Sequence, residues 1–241
     1  MNQLFYTTRI ENGFAHLDEE ESRHLLAVLR RKVGDPLQIT DGKGFYYDTE
    51  LSEIGKKYAL ARIISKTAAV PERPFKIHLA IAPTKQMERF EWLLEKAAEI
   101  GVDEITPLWC KRSERETIRL DRLEKILVSA MKQSLRATLP KLNELTRFQT
   151  FAKSASESCK RIAWCSDEPL PHFSTTLAPP QDVVIAIGPE GDFSPDEVKT
   201  AIENGFLGVS LGAARLRTET AGLLVVTALN LSLPNKPGHI S

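Results

Sequence analysis

The sequence predicts an α/β protein in two parts: a small β-rich N-terminal domain over residues 1–70 and a larger domain over 74–241 in which strands and helices alternate. Three observations carry this. Residues from Leu4 to Val70 hold short alternating or apolar segments separated by turn residues. The stretch Val70-Pro71-Glu72-Arg73-Pro74 fixes φ twice and removes two backbone donors, which suits a boundary. Beyond Pro74, short apolar runs alternate with segments of helical period, the pattern of a parallel sheet covered on both faces. Functional loops in such a sheet belong at the carboxyl ends of the strands.

The elements follow in order. PLQITDG (36–42), YYDTELSEI (46–54) and YALARIIS (58–65) read as strands, with Asp41-Gly42-Lys43-Gly44 as the turn between the first two. A helix from Asp18 to Arg31 puts His24, Leu25, Val28 and Leu29 at helical spacing, with acids first and bases last. After the boundary, IHLAIAP (77–83) is a buried strand, and a helix from Glu88 buries Phe90, Leu93, Leu94 and Ala97 before Gly101 stops it. Strand EITPLW (104–109), a helix from Leu120 to Arg136 and a polar stretch come next. Strands RIAWCS (161–166) and VVIAI (183–187), a helix from Ser194, strand GVSL (208–211) and a helix from Thr218 to Leu231 complete the pattern.

At 241 residues the chain can bury one large core or two modest ones, and 42% hydrophobic with 27% charged residues is ordinary for a globular protein. The start MNQLFYTTRIENG has no secretory signature and no apolar run reaches the ~18 residues of a membrane span, so a cytoplasmic protein without a membrane partner is expected. Cys110, Cys159 and Cys165 are odd in number and fit no C-x-x-C spacing, which reads as reduced small hydrophobes rather than a disulfide framework or zinc site. His16, His24, His78, His172 and His239 show no ligand spacing, so no metal is expected. Net charge is zero, and only local asymmetry favours a polyanion. From Arg122 to Arg161 the bases Arg122, Lys125, Lys132, Arg136, Lys141, Arg147, Lys153, Lys160 and Arg161 face only Glu124, Glu144 and Glu157, although a solvated helix face would look the same.

Two segments carry chemistry. In VVIAIGPEGDFSPDEV a strand runs into Gly188-Pro189-Glu190-Gly191, and a helix opens where Ser194 caps, Pro195 takes the first position and Glu197 completes a capping box. The glycines allow close approach of a ligand, and the same residues also fit a plain strand-to-helix turn. Neither the G-x-G-x-x-G of a dinucleotide fold nor a phosphate loop is present, which disfavours a dinucleotide-dependent oxidoreductase; Glu190 and Asp192 suit a neutral or cationic ligand. In GVSLGAARLRTETAGLL a strand ends at Gly212 and a loop carrying Arg215 and Arg217 leads through Thr218-Glu219-Thr220 into an apolar helix. If the two strands are neighbours, both turns open on one crevice. Arg217 and Glu219 could equally be an exposed pair at a helix start.

Together these segments resemble the SPOUT methyltransferases, and more closely the ribosomal RNA small subunit methyltransferase E family. The family's motifs are matched by Ile187 to Gly191 with Glu197, by Leu211-Gly212 and by Leu216 to Ala221. Upstream matches are Lys85, Glu88-Arg89-Phe90-Glu91, Lys96, Glu99 and Gly101-Val102, with His24, Val28-Leu29-Arg30 and Asp41-Gly42 in the N-terminal part. Two departures stand out: Ala213-Ala214-Arg215 moves the loop's first arginine by one place, and Lys132 opens a Gln-Ser-x-Arg segment where the family has an acid.

The resemblance implies a PUA-like RNA-binding domain, a trefoil-knotted domain and a homodimer. It implies S-adenosylmethionine held by Ile187, Gly188, Pro189, Glu190, Gly191, Leu211, Gly212, Ala214, Leu216 and Arg217, and N3 methylation of a uridine in 16S RNA or the small ribosomal subunit. Uracil N3 carries a proton at neutral pH, so a positive group beside the ring oxygens would assist its loss. Arg217 is the leading catalytic candidate, with Glu219 for base or positioning work. Arg9, Arg23, Arg30, Lys85, Arg89, Arg112 and Arg136 are candidate phosphate contacts. An RNA- or assembly-binding protein with a non-catalytic, cofactor-sensing knot is the alternative reading.

Overall fold

The computed structural model describes residues 3–176 and 181–232, so His239 lies outside the described residues. The chain forms two compact units, one running to Pro71 and including Leu127–Leu139, the other made of Glu72–Ile126 and the chain from Pro140 onward.

The first unit is a six-stranded sheet of β1 (Leu4–Tyr6), β2 (Ile10–Glu11), β3 (Phe14–Leu17), β4 (Pro36–Thr40), β5 (Phe45–Ile54) and β6 (Ala59–Ala68), in the order β1-β4-β5-β6-β3-β2. Only β1 and β4 pair in parallel. Alternation sends Tyr47, Thr49 and Leu51 of β5 inward, onto a core with Phe5, Leu25 and Ile39. The late segment packs on the β4–β5 turn: the Thr40 hydroxyl donates to the Ala137 carbonyl at 2.9 Å, and the Leu139 N–H donates to the Gly42 carbonyl at 2.9 Å.

The expected helix from Asp18 to Arg31 is shorter and irregular. α1 spans only Glu19–Arg23, with the Asp18 carboxylate accepting from the Glu21 N–H at 2.9 Å. A π-helical turn follows at His24–Val28, and Arg30 ends it in the left-handed region at φ 53°. The wider turn rotates the later side chains off the expected face. Leu25 is buried, whereas Val28 is 65% exposed.

The second unit alternates β7 (Ile77–Ile81), α2 (Met87–Ile100), β8 (Glu104–Trp109), α3 (Leu120–Gln133), β9 (Lys141–Leu142), β10 (Thr146–Arg147), α4 (Phe148–Ser154), β11 (Cys159–Ala163), β12 (Val183–Ile187), α5 (Pro195–Glu203), β13 (Leu207–Val209) and α6 (Thr218–Leu231). The sheet order is β10-β8-β7-β12-β11-β13, with β9 on β8, and every pairing is parallel. Every residue of β7 and β12 is buried, as strands covered on both faces must be. Gly101 ends α2 in the left-handed region at φ 114°, as its position past the helical pattern predicts.

Three expectations are corrected. β12 and β13 are not neighbours, because β11 lies between them. α3 stops at Gln133 rather than Arg136, with Leu135 turning left-handed at φ 56°. The stretch read as merely polar contains α4, whose Phe148 and Phe151 are buried in the core. Among the described residues no helix is long and apolar enough to cross a membrane.

On β7, His78 joins two polar partners: Nε2 lies 2.7 Å from the Thr106 hydroxyl, and Nδ1 is paired with Glu157. Burial alone would raise the Glu157 pKa, yet the hydrogen bond from His78 and nearby backbone N–H groups hold it below the ordinary 4.5. A carboxylate with a depressed folded pKa stabilises fully above its unfolded pKa, and that contribution is lost as pH falls through the folded value. Glu157→Gln should therefore flatten the acid limb of melting temperature against pH. Parallel wild-type and variant profiles from pH 7 to 3 would remove the pair from acid stability.

Candidate functional site

The carboxyl ends of β11, β12 and β13 open on one cavity of about 950 Å³. On the β12 side it is lined by Ile187, Gly188, Pro189 and Glu190. Gly188 sits where the loop folds back: a Cβ there would lie 3.1 Å from the Phe193 ring and 3.2 Å from the Phe193 backbone nitrogen. Asp192, left-handed at φ 63°, locks the return. Its carboxylate accepts from the Phe193 N–H at 2.7 Å and from the Cys165 N–H at 2.8 Å, tying this loop to the end of β11. α5 then starts as predicted, with the Ser194 N–H and hydroxyl donating to Glu197 Oε2 at 2.8 and 2.9 Å. The other oxygen of this buried carboxylate accepts from the Lys111 N–H at 2.7 Å.

The opposite wall is the loop after β13, with Leu211, Gly212, Ala214, Arg215, Leu216 and Arg217. Gly212 adopts φ 116°, which a side chain would strain. Where the loop enters α6, the buried Thr218 hydroxyl donates to the Gly188 carbonyl at 3.1 Å and joins the two walls. The intervening strand adds Ala163, Trp164 and Cys165. The crevice expected from two adjacent glycine turns is thus built from three strand ends.

All the candidate cofactor residues except Gly191 line this cavity. Gly191 packs against Arg112 instead, whose guanidinium donates to the Gly191 carbonyl at 2.9 Å and the Phe193 carbonyl at 3.3 Å. Arg217 is exposed, and its side chain has no polar partner among the described residues. Glu219 lies within α6, buried and outside the lining, with its carboxylate 3.8 Å from Arg89. Lys85 pairs with Glu114 at 2.8 Å while its N–H donates to Glu190 at 2.9 Å. Of the candidates in the first unit, Arg9 pairs with Glu11 at 3.2 Å, Arg23 and Arg30 are exposed, and Arg136 is half-buried.

Trp164, Cys165 and Arg115 carry no binding role in the sequence reading, whereas Asp192 reads there as an acid suited to a cationic ligand. The first two fall inside the predicted strand RIAWCS (161–166), but β11 ends at Ala163, which leaves them at its carboxyl end, where a parallel sheet binds its ligands. Arg115 donates to the Lys85 carbonyl at 2.9 Å and the Thr84 carbonyl at 3.2 Å, fixing the turn after β7. Cys165 is exposed rather than a buried hydrophobe. Burial and then the Asp192 carboxylate raise its pKa against the opposing Arg215, so its thiol stays protonated at neutral pH.

The cavity therefore offers an apolar part, with Trp164, Leu170, Leu211 and Leu216, and a charged part in which Glu168, Glu190 and Asp192 face Arg215 and Arg217. A model described as an RNA methyltransferase domain matches residues 71–230, and one described as an RNA methyltransferase PUA domain matches residues 17–64. Ribosomal RNA small subunit methyltransferase E of Buchnera aphidicola from Acyrthosiphon pisum is 30% identical, over 90% of this chain and 88% of its own length. The chain belongs to the ribosomal RNA small subunit methyltransferase E family. The probable rRNA-methyltransferase from Porphyromonas gingivalis superposes with a TM-score of 0.90 at 41% identity, covering 95% of this chain and 97% of that one. The family member from Neisseria gonorrhoeae, solved bound to S-adenosyl methionine, gives 0.85 at 29% identity, with 96% and 98% coverage. Membership makes the chain an RNA methyltransferase with a PUA-like N-terminal domain and a C-terminal methyltransferase domain.

Because Asp192 holds two N–H groups from a left-handed backbone, Asp192→Ala should cost about 1–3 kcal/mol of stability, and Asp192→Asn less, since asparagine tolerates that backbone. Chemical denaturation measures both; an alanine variant as stable as wild type would show that the loop does not rely on this carboxylate.

Proposed function

We propose that the chain transfers the methyl group of S-adenosylmethionine to N3 of a specific uridine in 16S ribosomal RNA, acting in the cytoplasm as a homodimer. The observation that carries this is the cavity joining the two family motifs, with Arg217, whose side chain has no polar partner among the described residues, in its lining. Its volume, about 950 Å³, lies within the range of small-molecule sites. The residues suit the cofactor: Trp164, Leu170, Leu211 and Leu216 offer apolar surface to a flat base, and the acids Glu190 and Asp192 favour a cationic group. When bound, S-adenosylmethionine supplies an electrophilic methyl on a sulfonium.

Residues Ile187 to Glu190 and Leu211 to Arg217 would hold the cofactor, with Gly191 supporting the first loop from behind. The Thr218 bond to Gly188 fixes the spacing of the two loops before any ligand arrives. Arg217 serves the uracil: its guanidinium beside a ring oxygen stabilises the imide anion left when the N3 proton passes to solvent water, and that nitrogen then takes the methyl group as the sulfonium sulfur leaves as a neutral thioether. Glu219 is buried and paired with Arg89, so we assign it to positioning rather than proton abstraction. The chain between the strand ends is read as the trefoil knot of SPOUT proteins, which supports two loops from distant sequence facing each other. Trp92 on α2 and Leu224 on α6 are exposed apolar side chains on two helices that pack together, which supports a partner subunit there.

The first unit would grip the RNA, with Arg9, Arg23, Arg30 and Arg136 on phosphates; Lys85, Arg89 and Arg112 of the second unit would serve the same role. Arg9 and Lys85 are held by exposed ion pairs, to Glu11 and Glu114, which cost little to open.

Incubation with labelled S-adenosylmethionine and small subunits from cells lacking the enzyme tests the reading. Label should appear in 3-methyluridine; cofactor binding without label across assembly states would favour a binding-only protein. Gly188→Val and Gly212→Val should abolish cofactor binding in calorimetry while circular dichroism stays unchanged. Retained binding would move the cofactor away from these loops. Arg217→Ala should slow transfer about 10²–10³-fold with cofactor affinity nearly unchanged, whereas equal losses in both would make Arg217 a cofactor ligand.

A further inference from the structure

A second cavity lies wholly within the first unit, far in sequence from the methyltransferase motifs. It measures about 580 Å³ and is bounded by the strand ends at Tyr6–Arg9 and His16–Asp18 and by the β5–β6 turn at Lys57–Leu60. That turn is Gly55-Lys56-Lys57-Tyr58, closed by the Gly55 N–H donating to the Tyr58 carbonyl at 2.8 Å.

Tyr58 is the unusual member. A tyrosine at a hairpin tip normally swings freely, but this ring is held at both ends. Its hydroxyl donates to the Glu53 carboxylate, and its edge rests so close to Gly55 that a Cβ there would lie 2.7 Å away. The ring is nevertheless 46% exposed. An aromatic ring fixed by its neighbours and left in solvent contributes nothing to a core; it is a prepared stacking surface. Beside it in the lining stand the cations Arg9 and Lys57, whose side chains are held, among the described residues, by exposed ion pairs to Glu11 at 3.2 Å and to Glu19 at 3.8 Å. His16 lines the floor.

A fixed aromatic face, a cavity large enough for a nucleotide and two cations on exposed stems together match single-stranded RNA, whose bases stack while phosphates pair with Lys or Arg. A peptide partner would leave the paired cations without a role, and a duplex could not enter a cavity of this size. We propose that this cavity takes one unpaired nucleotide of the RNA, with its base stacked on Tyr58 and its phosphates at Arg9 and Lys57. The inference rests on the reading of the chain as an enzyme acting on RNA, and adds a second point of grip, on the first unit.

The test uses the full chain and a ten-nucleotide single-stranded RNA carrying one 2-aminopurine. Stacking should quench its fluorescence on binding. Tyr58→Ala should abolish the quenching and weaken binding about 5–150-fold, the value of one stacked base, while Tyr58→Phe, which keeps the ring, should restore both. Arg9→Ala with Lys57→Ala should weaken binding and reduce its dependence on salt, with S-adenosylmethionine affinity unchanged in every variant. Absence of quenching in the wild type, or equal affinity of wild type and Tyr58→Ala, would overturn the proposal. A wild type that methylates small subunits yet fails this test loses the nucleotide pocket alone; one that passes it yet never methylates keeps the pocket and loses the proposed reaction.

Discussion

All strands of the second unit's sheet point the same way, and the rest of its chemistry follows from that constraint. Parallel strands end on one edge, so loops that are distant in sequence meet there without any special device. The buried Thr218 hydroxyl on the Gly188 carbonyl then converts proximity into a fixed spacing between the two loops. Because both groups are shielded from water, leaving either one unsatisfied would cost more than the bond itself contributes. The Asp192 carboxylate repeats the device toward β11, so three loops share one rigid frame.

Much of this was legible in the residues. The buried strands at 77–83 and 183–187, the capping box at Ser194 and Glu197, and the stop at Gly101 all rest on local chemistry, and local chemistry decided them. What escaped depended on pairing across the chain. Nothing in RIAWCS reveals that it inserts between β12 and β13, so Trp164 and Cys165 could not be placed beside the glycine loops. The irregular turn at His24–Val28 escaped for a different reason: its residues are ordinary helix formers, and only the left-handed Arg30 marks the disruption.

Charge placement shows the same division. The sequence pointed to an excess of bases between Arg122 and Arg161, but their partners are decided in space. Lys132 is paired with the buried Glu21 of the first unit, so the local balance is kept by a residue more than a hundred positions earlier. Arg112 likewise spends its donors on the backbone carbonyls of Gly191 and Phe193. Counting charges along the chain measures supply; the fold determines which of them remain available to a polyanion.

The segment Leu127–Leu139 gives the first unit a dependence on time as well as on space. Its β4–β5 turn is held by bonds from Thr40 and Gly44 to Ala137 and from Leu139 to Gly42, residues separated by nearly a hundred positions. During vectorial synthesis, the early strands therefore emerge long before the piece that seals them. In the interval, the β4–β5 turn lacks the partners of its Gly42 carbonyl and Gly44 N–H. Maturation of the amino-terminal module is tied to translation of the helix that follows β8, so a nascent chain interrupted before that helix would expose an incomplete sheet to chaperones and proteases.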